Sequence, residues 1–105
     1  MRDSNAMTSK LHIEGSVLRW KDDQGRIHRD HDKPAVVYAD GTKAWYQHGK
    51  CHRDHDQPAA IYANGIMYWH QYGKLHRDND LPAVVHADGH KYWWQHGKLI
   101  REEWL

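Results

Sequence analysis

The chain contains no phenylalanine, one cysteine and three prolines, and its net charge is only +1, from 15 basic against 14 acidic side chains. Each scarcity excludes something. A lone thiol, Cys51, has no internal partner, so no disulfide framework holds the fold, which fits a reducing cytosol. Balanced charge provides no basic field to draw a phosphate backbone, and nucleic acid is not an expected partner. No apolar run approaches the roughly 20 residues that a spanning helix needs, so no membrane partner is expected and the chain reads as one soluble, cytoplasmic domain.

Flat side chains with polar edges stand in for the missing ones. Six Trp, six Tyr and eleven His among 105 residues must supply both core and much of the surface. Residues 1–10 carry no pattern, and Ser4-Asn5-Ala6 before Met7 reads as a disordered tail or cloning remnant. The domain is then 11–105.

Within it one phrase returns every 24 residues. His28-Arg29-Asp30, His52-Arg53-Asp54 and His76-Arg77-Asp78 each open a copy that closes on Gly49-Lys50, Gly73-Lys74 or Gly97-Lys98. Such a period marks a stacked array whose units are too small to bury an apolar face alone. Copies fall at about 25–48, 49–72 and 73–96, with caps at 11–24 and 97–105. In the front cap Trp20 stands one residue out of register, and in the back cap Ile100 and Glu102 replace the His and Asp of the phrase.

Each copy reads as a β-hairpin. Residues 34–39 are rich in β-branched and aromatic side chains, Asp40-Gly41 is a turn, and a second strand spans 42–48. Glycines at 41, 49, 65, 73, 89 and 97 interrupt any helical window. A two-residue loop would set Ala35 and Val37 on the face opposite Trp45 and Gln47. A three-residue Ala-Asp-Gly loop gathers them on one face, which favours it. The expected architecture is all-β: an elongated antiparallel hairpin array, its inner face covered by the connectors, about 35 Å long at the usual strand spacing.

The segments V-V-Y-A-D-G-T-K-A-W (36–45) and W-Y-Q-H-G-K (45–50), with H-R-D following, resemble MORN-type repeats. The variant is that of bacterial YwqK-related antitoxin-component proteins and small phage proteins. The resemblance implies a hairpin array that serves as a binding or scaffolding module, in some members linked to membranes or to toxin neutralisation. His-Arg-Asp-x-Asp-x-Pro replaces the glycine-rich connector of the usual pattern.

Repetition separates scaffold from site. Arg29, Asp30, Asp32 and Trp45, with Arg53, Asp54, Asp56, Trp69, Arg77, Asp78, Asp80 and Trp93, recur and are assigned to structure; no catalytic residue or cofactor is expected. His-Arg-Asp is not a kinase catalytic loop, because the partner motifs of that enzyme are missing. The outward face carries the variable residues Tyr38, Tyr46, Tyr62, Tyr68, His70, Tyr72, His86, Tyr92 and Trp94. An aromatic stripe of this extent marks a partner-binding surface. Expected is a non-enzymatic module binding a protein, an inhibitor or antitoxin-like factor of bacterial or phage type. A homodimer through the same stripe, sugar rings stacked on it, and zinc held by His28, His31, His52 and His55 are the competing readings.

Overall fold

The computed structural model describes residues 9–104. Most of the sequence-assigned tail therefore lies outside the described residues, but Lys10 already opens the first strand. Thirteen strands follow in chain order. They are β1 (Lys10–Glu14), β2 (Val17–Lys21), β3 (Val36–Val37), β4 (Lys43–Ala44), β5 (Tyr46–Gln47), β6 (Lys50–Cys51) and β7 (Ala60–Ile61). Then come β8 (Met67–Tyr68), β9 (His70–Gln71), β10 (Lys74–Leu75), β11 (Val84–Val85), β12 (Lys91–Gln95) and β13 (Lys98–Glu103). Nine form one antiparallel sheet in the order β1-β2-β3-β4-β7-β8-β11-β12-β13, and β5-β6 and β9-β10 form two small separate hairpins. The protein is an all-β hairpin array with extents of 52 × 28 × 19 Å.

The turns follow from the Asp-Gly and Asn-Gly pairs. Tyr38 N–H donates to the Thr42 carbonyl at 2.9 Å and Gly41 N–H to the Tyr38 carbonyl at 3.0 Å, leaving a three-residue Ala39-Asp40-Gly41 loop. Gly41 takes φ +95°, a value that L side chains rarely adopt. The Asp40 carboxylate accepts the Thr42 N–H at 2.9 Å, and Asn64 and Asp88 do the same for Ile66 and His90. This loop sets Val36 opposite Ala44 and so fixes which side chains share a face.

The structure departs from the single long hairpin at Trp45. There the strand leaves the main sheet: β5 pairs with β6 across a two-residue turn, with His48 at φ +50° and Gly49 at +82°. Both central residues are left-handed, as a type I′ turn requires, and His-Gly supplies them. Each of the first two copies therefore holds two hairpins. In the third, β12 runs unbroken and meets β13 with a register shift between Trp93 and Trp94.

The front cap explains the offset of Trp20. Its turn is one residue longer, and Asp22 fills it: the carboxylate accepts the Gln24 and Arg26 N–H groups and the Arg26 guanidinium, all at 2.9 Å. Burial raises the Asp22 pKa, but these bonds outweigh it and hold the carboxyl below its ordinary range. Trp20 thus reaches the same stacking position as its later equivalents, under Arg29.

Ala35, Ala59 and Ala83 have no exposed surface, and Trp45, Trp69 and Trp93 are buried beside the connectors. Val36, Ala60 and Val84 are buried as well, although they sit on the face expected to point outward. The neighbouring rings of that face close over its floor, so the sheet has apolar packing on both sides.

Candidate functional site

The recurring phrase builds a staple between copies. The Arg53 guanidinium lies 3.8 Å from the centre of the Trp45 ring, grips both oxygens of Asp32 at 2.8 and 3.2 Å, and donates to the Pro58 carbonyl at 3.1 Å. Arg77 repeats every contact one copy later, with Trp69, Asp56 and Pro82. A planar fork that stacks and binds a carboxylate in a bidentate manner is a task for arginine. The tryptophans are held in turn: Trp45, Trp69 and Trp93 donate their indole N–H to the carbonyls of Asp32, Asp56 and Asp80. Gln47, Gln71 and Gln95 donate to the carbonyls of Arg29, Arg53 and Arg77.

The phrase histidines are also committed to structure. His28 is buried, its Nδ1 accepting the His48 N–H at 2.9 Å and its Nε2 facing the Asp30 carboxylate at 3.0 Å. This arrangement requires the proton on Nε2. His52 and His76 repeat it with Tyr72 and His96 as donors and Asp54 and Asp78 as partners. His31 and His55 are exposed and adopt φ of +66° and +64°. Asn79 holds the same conformation at +65°, so the slot selects residues that tolerate left-handed backbone.

The four histidines proposed for zinc are thus divided between hydrogen-bonded burial and exposed turns. A different group, Asp22, His28 and His48, brings ligand atoms within 4.8 Å of one another. The Arg26 guanidinium already contacts both Asp22 (2.9 Å) and His48 (3.4 Å) there. Arginine supplies the positive charge of that cluster.

On the opposite face the variable rings gather. Tyr38 and Tyr62 are 40% and 44% exposed; Tyr46, Tyr68, His70, His86, Tyr92 and Trp94 are half-buried. Several pack on one another: Tyr62 meets Tyr68 edge to face at 5.3 Å, and Tyr92 lies 5.6 Å from His86. Tyr72 is placed elsewhere. It occupies the left-handed turn of β9-β10, with its ring against His52 at 4.4 Å.

Between the first two copies this face opens into a cleft of about 290 Å³, rimmed by Tyr38, Tyr46, Tyr62, Tyr68 and His70 and floored by Ala44, Ala60, Cys51 and Leu75, with Thr42 at its side. No protein-family model, curated protein or solved structure matches the chain. The site is therefore read from its own chemistry. None of the residues lining the cleft is Asp, Glu, Lys or Arg. Burial raises the hydroxyl pKa of Tyr46 and Tyr62 and pushes the Cys51 thiol up to about 12, so these groups stay uncharged. Burial also lowers the His70 pKa, favouring the neutral ring, whose Nδ1 is buried without a hydrogen-bond partner.

Sequence reasoning placed the rim on one face, with Ala44 and Ala60 beside it, but did not single out the floor as a site. Its signal was present in the comparison of copies: Ala44 stands where Tyr68 and Tyr92 recur, Ala60 where Val36 and Val84 recur, and Cys51 where Leu75 and Leu99 recur. Three reductions in size converge on one place.

Proposed function

We propose that the protein is a non-enzymatic, MORN-like repeat module that binds a protein partner through the aromatic face, acting in the bacterial or phage setting as a cytoplasmic inhibitor of antitoxin type. The observation that carries this reading is the division of labour between the faces. On the connector face the recurring charged, indole and imidazole groups are consumed by contacts within the array. The other face keeps exposed tyrosines around an uncharged cleft. Tyrosines bury large area at small entropic cost and keep a polar edge, which is why they concentrate at interface hot spots. Among the described residues no helix is long and apolar enough to cross a membrane.

The test uses the two most exposed rings of the cleft rim. Tyr38→Ala with Tyr62→Ala removes the two exposed rings of the rim while sparing the half-buried ones, so the circular dichroism spectrum and melting temperature should stay close to wild type. Affinity for a partner recovered from the source cell should fall by about 2–4 kcal/mol, the range of paired hot spots. A partner that binds the double variant as tightly as wild type contradicts the proposal.

A further inference from the structure

The cleft lies where the first copy lacks the tyrosine of the other two. In the second copy the slot of residue 44 holds Tyr68, whose ring meets Tyr62 at 5.3 Å; in the third it holds Tyr92, which meets His86 at 5.6 Å and stacks on His90 at 5.2 Å. In the first copy Tyr38 stands where Tyr62 and His86 stand, but Ala44 offers it no ring. Ala60 and Cys51 deepen the space below by replacing valine and leucine. The chain thus contains its own control: the same backbone unit appears twice with a phenol ring in the slot and once without.

We infer that this cleft receives the side chain of a tyrosine supplied by the protein partner, which completes the row of rings begun by Tyr68 and Tyr92. The inference rests on the partner-binding role proposed above and names the anchor. Three features select the occupant. The volume of about 290 Å³ stands at the lower edge of the roughly 300–1,000 Å³ typical of drug-sized sites and has room for an aromatic ring. The rim is built of aromatic faces and edges, which favour a planar ring in offset or edge-on contact. The absence of ionised groups from the lining makes a charged occupant costly, because its charge would be buried without a partner. A phenol meets all three, and the hydroxyls of the rim tyrosines stand in the same lining to meet its own, while that of Thr42 already accepts the Ala63 N–H at 3.1 Å.

The probe is p-cresol, the isolated tyrosine side chain, titrated into the full chain and followed by two-dimensional amide NMR. Saturable shifts are expected at residues 42–46, 60–62 and 68–70, with little change in the connectors. Ala44→Tyr, which restores the residue of the other copies, should weaken p-cresol binding by at least about tenfold, a change of 1.4 kcal/mol. Ala60→Val with Cys51→Leu fills the same space from the floor and should act alike, which keeps the test decisive if the tyrosine variant fails to fold. The anionic analogue p-toluenesulfonate should bind at least about tenfold more weakly than p-cresol. An absence of saturable cleft shifts, equal p-cresol affinity in wild type and both filled variants, or equal binding of the anion overturns the inference. The partner separates the two proposals: if Ala44→Tyr retains it while Tyr38→Ala with Tyr62→Ala loses it, the anchor is wrong and the binding face stands. If all variants retain it, both fall.

Discussion

Arg53 shows how much one side chain can carry in a protein with so small an apolar core. Its guanidinium stacks on Trp45, grips Asp32 and caps the Pro58 carbonyl, and only 14% of the side chain is exposed. Lysine at this position keeps the charge but loses the fork and the flat stacking surface. Arg53→Lys should therefore cost about 1–2 kcal/mol, read as a lower urea midpoint at unchanged slope. His70 makes a second, pH-dependent prediction. Its folded pKa lies below the unfolded value of about 6.5, so the unfolded chain binds the extra proton first as pH falls. The stability associated with His70 is fully present above about pH 6.5 and is lost as pH drops toward the folded value. Comparing denaturation of wild type and His70→Phe from pH 8 to pH 5 isolates this term, and the wild type should lose more stability over that span.

At the scale of the element, the three-residue loop was legible in the sequence because only that loop puts Ala35 and Trp45 on one face. The departure at Trp45 was not. His48-Gly49 reads equally as the end of a strand and as a turn, and only the capture of the His48 N–H by His28, 20 residues earlier, decides between them. The loops yield a graded test. A methyl group added at Gly41 meets nothing within 4 Å, whereas at Gly65 it comes within 3.2 Å of the Ala87 methyl carbon. Both glycines are left-handed, so Gly41→Ala should cost about 1 kcal/mol or more from backbone strain alone, and Gly65→Ala more than that. Equal melting temperatures for the two variants would show that the crowding at Ala87 has no energetic weight. The floor of the cleft escaped the sequence reading for a related reason: alanine and cysteine mark a site by what they leave out, and only the fold brings these three substitutions, distant in the chain, to one place.

Across the whole molecule, neighbouring copies are joined by a recurring Arg-Asp-Trp staple, so stability should scale with the number of junctions. Insertion of a second copy of residues 49–72 after residue 72 adds one full junction, including one Arg-Asp-Trp staple. The melting temperature should rise, and the transition should stay single. A lower value, or two separated transitions, would mean that the junctions are not equivalent. The period of 24 residues made the array evident from the sequence, but not the direction of its linkage. Each aspartate reaches forward to the arginine of the following copy, Asp32 to Arg53 and Asp56 to Arg77, a pairing across 21 residues that no local pattern announces.

That direction has a consequence for growth. Arg101 still stacks on Trp93, at 4.0 Å, and approaches Asp80 at 3.9 Å, so the last staple receives from behind as the others do. Three residues further on, where Asp32, Asp56 and Asp80 would predict a carboxylate, the chain carries Trp104. A further arginine arriving there would meet an indole with no acid to grip. A copy duplicated inside the array carries its own acid with it, whereas at Trp104 the acid half of the staple is withdrawn, a change of punctuation written in side-chain chemistry.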